Sequence, residues 1–179
     1  FFDSVRLAHA VDYLLSLGEQ LQVPVVVNLS VGTNGHAHDG TSPISRWIET
    51  ALDQPGRCVV VAAGNAGQAA PHSEGDLGFL SGRIHTSGRV EAEGLVVDLE
   101  WDVLGNGAED YSDNEMEVWY EPQDQLRVYV KPPGVTTWIG PVGPGEYFQN
   151  KELADRTVRS VYSERYLPAN GANRISVFL

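Results

Sequence analysis

Two segments of the chain end an apolar run in residues that can bind a ligand through hydrogen bonds. The first covers residues 28–32 and reads Asn-Leu-Ser-Val-Gly; the second covers residues 59–64 and leads directly into Asn65. Open α/β sheets bind their ligands beyond the carboxyl ends of the strands, so an amide directly after a β-branched run is placed for binding chemistry. Gly64 allows the backbone to turn tightly just before that amide. The two segments are therefore the first candidates for a functional site.

A loop rich in histidine and acidic residues lies between these segments. It reads His36-Ala37-His38-Asp39, and these residue types can ligate a metal. Their spacing, however, matches neither the i,i+4 pair of a helix nor a usual zinc-ligand set. Flanking glycines favour a solvated loop beside the site, so the sequence predicts no metal centre here.

The first 63 residues alternate between helix and strand patterns. The apolar spacing of about 3.6 residues predicts an amphipathic first helix whose end Gly18 loosens. Ser42 is a suitable cap for a second helix with Pro43 in its first turn. Both strands are continuous apolar runs, which is typical of parallel strands buried on both faces. The predicted elements are a helix over 3–21, a strand over 23–27, a helix from 43 and a strand over 58–63.

The pattern changes to a period of two from about residue 82. Short alternating runs separated by Gly, Pro, Asn and Asp predict an antiparallel β-sandwich of the jelly-roll kind. The sequence thus predicts two domains, an α/β core over residues 1–70 and a β-sandwich over residues 71–179. The predicted strands of the second domain cover 94–101, 115–120, 126–131, 156–166 and 173–178.

Composition narrows the classes of partner. The formal net charge is −12, whereas nucleic acids and anionic membranes attract basic surfaces. No apolar run approaches the ~18 residues that cross a bilayer, and the single cysteine, Cys58, excludes an intrachain disulfide framework. The first residue is Phe1 rather than Met, and we expect the chain to be a fragment of a longer protein.

The paired motifs at residues 28–32 and 59–65 resemble the subtilisin-like serine proteases, and the resemblance covers about residues 3–72. It implies a partial subtilase core and peptide-bond hydrolysis through an acyl-enzyme. It also implies that the side-chain amide of Asn65 stabilises the oxyanion. Two groups of residues would contact the substrate: Ser30, Val31 and Gly32 as one rail of the cleft, and Ala62, Ala63 and Gly64 as one side of the specificity pocket.

The catalytic Asp, His and Ser that the resemblance requires are not found in this sequence. Ser42, in Gly-Thr-Ser, resembles the family's nucleophile, but it precedes Asn65 and is followed by Pro43; helix capping explains it better. His72 and His85 lack the setting of the family's catalytic base. We therefore expect the isolated segment to be inactive. Its expected partners are a peptide substrate and the prodomain or the rest of the catalytic domain, in a secreted or cell-envelope bacterial protein.

The β-rich half resembles the jelly-roll insertion of some bacterial subtilases, including those related to spore-germination proteases. Its expected role is to make the protease rigid or to contact a neighbour. No cofactor is expected. Calcium is the one metal that the family leaves open, although the acidic residues 109–115 lack the spacing of a twelve-residue calcium loop. Five aromatic residues are expected in the sandwich core rather than in a glycan groove: Trp101, Trp119, Tyr120, Tyr129 and Trp138.

Two alternative functions remain open at this point. The chain could belong to a non-catalytic pseudoprotease, or its β-sandwich could be a module that binds peptides or glycans. An α/β-hydrolase is a weaker alternative, since its Gly-x-Ser-x-Gly nucleophile elbow does not occur in the sequence.

Overall fold

The computed structural model describes residues 4–33, 35–64, 85, 88–101, 114–132, 134–152 and 158–178. The chain divides into two compact units, residues 1–35 with 44–109, and residues 36–43 with 110–179. The chain therefore passes between the units three times. The elements are α1 (Ser4–Leu21), β1 (Val25–Leu29), α2 (Pro43–Ala51), β2 (Arg57–Val61), β3 (Glu115–Tyr120), β4 (Val128–Val130), β5 (Ile139–Val142), β6 (Tyr147–Glu152), β7 (Val158–Glu164) and β8 (Asn173–Phe178).

Helix α1 packs closely on β1 through a glycine. The helix runs through Gly18 to Leu21, so the prediction that Gly18 loosens its end is wrong. A Cβ atom at Gly18 would lie 2.0 Å from Val25 Cγ2, and the missing side chain is what lets the strand approach. The helix ends in a Schellman motif, in which Val23 N–H donates to the Gly18 carbonyl (3.0 Å) and Gln22 has a left-handed φ of 53°.

The first unit contains the predicted pair of parallel strands. β1 and β2 pair in parallel from Val25↔Arg57 to Leu29↔Val61, which confirms the predicted direction. Helix α2 begins at Pro43, directly after Ser42, as the capping pattern predicts. In this unit the buried core residues are Val11, Leu15, Val27 and Leu29, with Leu7, Val25, Trp47, Ile48, Ala51 and Val59 packed around them.

Only one face of this two-stranded sheet is covered in the described part of the chain. Val26 is 70% exposed and Val60 is 50% exposed, although the continuous apolar runs predicted burial on both faces. The two helices supply the core on the other face. The second layer of helices that normally covers a parallel sheet is not present among the described residues.

The second unit is built from antiparallel strands, as predicted. One sheet has the order β3-β8-β7-β6 and a second pairs β4 with β5. The connection from β3 to β6 is long and contains β4 and β5 of the other sheet. The strands β6, β7 and β8 then follow one another in the first sheet. The last of these pairs with β3, which is a Greek-key arrangement. The predicted strands at 115–120 and 173–178 are confirmed at both ends.

In the β-rich half, one predicted strand is absent from the structure and two observed strands were not predicted. Residues 94–101 form no strand, and Val96 there is 80% exposed, because no described strand pairs with this segment. β5 was not predicted; it contains Pro141, and a proline is tolerated here because each strand of a two-stranded sheet is an edge. β6 was not predicted because its sequence, Tyr-Phe-Gln-Asn-Lys-Glu, does not alternate.

The aromatic residues of the second unit are not all core residues. Tyr129 is 45% exposed and Trp138 is 54% exposed, so the expectation of core packing is wrong for these two. Lys131 Nζ lies 5.7 Å from the centre of the Trp138 ring. Trp119 and Tyr120 are partly buried in β3. Small aliphatic residues supply most of the fully buried apolar surface instead: Val142, Val161, Ile175 and Val177.

None of the helices that the structure describes is long and apolar enough to cross a membrane.

Candidate functional site

The six residues predicted to contact a substrate all leave the sheet at one edge. The parallel strands end in register at Leu29↔Val61, and Ala62 N–H donates to the Leu29 carbonyl at 3.0 Å. Residues 30–32 and 62–64 therefore start side by side, beyond the carboxyl ends of β1 and β2. All six are exposed. The parallel register thus creates the open strand ends at which α/β folds bind their ligands.

Local geometry shapes each of the two strand ends. Asn28 Nδ2 donates to Ser30 Oγ at 3.0 Å, which joins two side chains of the first motif. Gly64 has a φ of 84°, a backbone conformation that strongly favours glycine. A Cβ atom at Gly64 would have no neighbour within 4 Å. Gly64 therefore adopts a conformation that glycine allows, and the space around it is open.

Several residues that the sequence singled out lie outside the described residues: Asn65, His72 and the acidic residues 109–113. Among the described residues, no three His, Cys, Asp or Glu side chains are grouped so that they could hold a metal ion. Cys58 is a free, exposed thiol.

The histidine-containing loop that follows β1 is fastened within the second unit. His36 and His38 both have left-handed backbones, with φ of 73° and 54°, and both are exposed. Asp39 accepts hydrogen bonds from Thr41 N–H at 2.9 Å, from the Thr41 hydroxyl, and from Asn170 Nδ2 at 2.9 Å. The Thr41 and Asn170 hydrogen bonds lower the pKa of Asp39 from 3.8 to about 2. The loop is solvated, as predicted, but it is also held in place.

A second fastening point lies at the start of this loop, on strand β3. The carboxylate of Glu117 accepts the backbone N–H of His36 at 2.7 Å and the indole N–H of Trp119 at 3.1 Å. Its other oxygen is 2.8 Å from Arg174, and Arg174 also donates to Glu164 at 2.6 Å. Burial raises the pKa of Glu117, but the hydrogen bonds from His36, Trp119 and Arg174 outweigh it and leave the pKa below its usual value.

Sequence reasoning missed Glu117 and Arg174. They are 57 positions apart, and they meet because β3 pairs with β8 so that Trp119 lies opposite Arg174. The guanidinium lies 5.4 Å from the Trp119 ring centre. The alternating acidic residues of β3 were visible in the sequence, but nothing in the sequence identified the strand that pairs with them.

Comparisons with known proteins find a likeness among solved structures. No family model and no curated protein matches the chain. Among solved structures, the chain is similar to one described as the structure of the Clostridium perfringens CspB protease, with a TM-score of 0.54 and 18% identity. The match covers 99% of this chain and 34% of that one, so the chain spans about a third of that protein's length.

The fold of this chain is similar to that of part of this protease. Because the match covers nearly the whole chain, both units of this protease-like fold take part in it. At 18% identity the likeness concerns the fold and not the chemistry, which has to be argued from the chain's own residues.

Acid is expected to weaken the fastening of the histidine loop. The pKa of Asp39 is lowered in the folded protein to about 2, so its stabilising contribution is complete above 3.8 and is lost as the pH falls toward 2. The pKa of Glu117 is also lowered, so its stabilising contribution is likewise lost as the pH falls. We expect the fall in Tm between pH 5 and pH 2 to be smaller for Asp39→Asn than for the unaltered protein.

Glu115 supplies the control for this experiment because its shift has the opposite sign. Burial and the neighbouring charge of Glu117 raise the pKa of Glu115, so acidification removes an unfavourable charge. The fall in Tm over the same pH range should therefore be larger for Glu115→Gln than for the unaltered protein. Equal acid sensitivity in all three proteins would contradict the proposed electrostatics.

Proposed function

We propose that this chain is a segment of a subtilisin-like serine endopeptidase, which hydrolyses peptide bonds through an acyl-enzyme. The observation that carries the proposal is the parallel pairing of β1 and β2, whose in-register ends bring the two motif segments to one open edge. The fold likeness to a bacterial protease over 99% of the chain supports it. The catalytic Asp, His and Ser come from the rest of the protein.

The proposed roles follow from the chemistry of each segment. The backbone of Ser30, Val31 and Gly32 pairs with the substrate as an added strand, since it is exposed and continues directly from β1. Ala62, Ala63 and Gly64 form one side of the pocket for the substrate side chain. Small residues suit this position because they leave room for a side chain to enter.

Asn65 is proposed as the oxyanion donor. Attack on a peptide carbonyl builds negative charge on its oxygen, and a fixed amide N–H at hydrogen-bonding distance stabilises that charge more in the transition state than in the bound substrate. Its position in sequence, directly after Gly64 at the carboxyl edge of a parallel strand, is the one that such a donor needs.

The described residues leave one apolar face of the sheet uncovered, and on this proposal the rest of the catalytic domain packs against it. Val26 and Val60 are exposed on that face, and parallel sheets normally have helices on both faces. On this proposal residues 1–70 are part of the catalytic core and residues 71–179 are an inserted β-domain. The proposed partners of the whole protein are then a peptide substrate and its own prodomain.

The proposal is tested by labelling the full-length protein with a fluorophosphonate, which reacts with activated serines. We expect stoichiometric labelling of one serine outside residues 1–179, and no labelling of the 179-residue segment alone. Labelling of Ser42 would contradict its assignment as a helix cap. An unlabelled full-length protein that still binds peptides would show a pseudoprotease and would refute the enzymatic proposal.

A further inference from the structure

The loop that follows the proposed substrate strand is fixed by the second unit at two separate points. At its start, His36 N–H donates to the Glu117 carboxylate of β3 at 2.7 Å. Three residues later, Asp39 accepts from Asn170 in the turn before β8 at 2.9 Å. Residues 36–43 accordingly belong to the second unit, although they connect β1 to α2 of the first. Residues 36–43, which follow the proposed substrate strand in the chain, are therefore anchored by residues of their own unit.

The hydrogen bond from His36 to Glu117 is the stronger of the two anchors. The Glu117 side chain is only 13% exposed and is paired with Arg174, so the acceptor of the His36 N–H is an ionised and largely desolvated carboxylate. Charge-assisted hydrogen bonds of this kind are stronger than those between neutral groups. The bond also holds His36 in a left-handed conformation, with φ of 73°, which a non-glycine residue does not favour on its own.

This anchor is close in sequence to the proposed substrate strand. Only residues 33–35 separate Gly32 from His36, and Gly35 N–H donates to Thr33 Oγ1 at 3.2 Å within that linker. A short linker with one fixed end leaves its other end fewer conformations. Segments that are ordered before binding lose less conformational entropy when a ligand pairs with them.

We propose that Glu117 is a positioning residue for substrate binding: through the backbone of His36 it orders the end of the segment that pairs with the peptide. This inference rests on the proposed function. It gives the β-rich unit a specific task, because β3 provides the carboxylate and β8 provides the arginine that pairs with it. Glu117 contacts no reacting atom, so its effect falls on peptide binding rather than on bond cleavage.

The test compares Glu117→Ala with Glu164→Gln in the full-length protein. Both variants remove one negative charge and one ion pair of Arg174, but only the first removes the acceptor for the loop. With a peptide long enough to occupy the substrate strand, Glu117→Ala should raise KM about fivefold to tenfold and change kcat less than about twofold. Glu164→Gln should leave KM within about twofold of the unaltered value.

A second variant guards against a general loss of structure in Glu117→Ala. Asp39 is exposed, and Asp39→Ala removes the other anchor without disturbing the sheet. It should raise KM in the same direction, and its Tm at neutral pH should fall because the stabilising hydrogen bonds of the Asp39 carboxylate are lost. Hydrogen exchange at the His36 amide should be faster in Glu117→Ala and unchanged in Glu164→Gln.

The possible outcomes separate the two proposals. If the unaltered protein cleaves peptides but Glu117→Ala and Glu164→Gln change KM equally, the positioning role is wrong and the proposed function stands. The same conclusion follows if Glu117→Ala lowers only kcat or only Tm. If the unaltered full-length protein cleaves no peptide, the proposed function fails and the positioning role fails with it.

Discussion

Replacing Asn65 by alanine in the full-length protein should lower kcat by two to three orders of magnitude and leave KM within about twofold. The reason is the role proposed for Asn65, in which the amide N–H binds the developing oxyanion and makes no comparable contact with the ground-state carbonyl. Losing such a donor costs roughly 3–4 kcal/mol of transition-state stabilisation, a magnitude known from the oxyanion-hole asparagine of subtilisin. Steady-state kinetics with a chromogenic peptide measures both constants.

An isosteric variant shows whether the donor itself is responsible. Asn65→Asp keeps the shape of the side chain but replaces the N–H donor by a carboxylate oxygen, which repels an oxyanion. Its kcat should be at least as low as that of Asn65→Ala, while its reactivity toward a small fluorophosphonate falls in parallel. An unchanged kcat in either variant, or a loss expressed only in KM, would remove Asn65 from the oxyanion hole.

The largest expected loss of stability follows from replacing Asn173 by alanine. Asn173 has no exposed surface. Its amide N–H groups are shared among the carbonyl oxygens of Glu121 (3.4 Å), Pro122 (3.3 Å) and Asp124 (3.2 Å), and its oxygen accepts Tyr166 N–H at 3.1 Å. Alanine leaves these backbone groups without the partner, which should lower the free energy of unfolding by about 3 kcal/mol.

Ser176 provides a matched control on the same strand. It is 2% exposed, and its hydroxyl oxygen has no hydrogen-bond partner within the described structure. Ser176→Ala removes a buried polar atom and breaks no hydrogen bond to it, so its effect should be near zero or slightly stabilising. Denaturant unfolding of both variants measures the difference. Equal destabilisation by Asn173→Ala and Ser176→Ala would show that the Asn173 contacts contribute little.

The helices, the parallel pair and the best-patterned antiparallel strands were predictable from local signals. Ser42 and Pro43 marked the start of α2 because capping depends on adjacent residues alone. The acid–apolar alternation of residues 115–120 marked β3 for a similar reason. Residues 94–101 misled the prediction, because apolar alternation indicates a strand only if another strand is available to pair with it.

The two motif segments of the candidate site were predictable from the sequence, but the contacts that depend on strand register were not. The resemblance implied that residues 30–32 and 62–64 line one cleft, and the parallel register of β1 and β2 brings the starts of both segments to one edge. The Glu117–Arg174 pair could not be predicted, since it depends on the register between β3 and β8. The anchoring of His36 depends further on a backbone N–H, which has no signature in the sequence.

A structure of the full-length protein bound to a peptide boronate tests the central claim most directly, because the tetrahedral boronate carries an oxygen where the oxyanion forms. We expect the Asn65 amide nitrogen to lie about 2.7–3.1 Å from that oxygen. The backbone of residues 30–32 should pair with the peptide as an adjacent strand. A complex in which the Asn65 side chain points away from the boronate, or in which the peptide binds away from the ends of β1 and β2, would contradict the account.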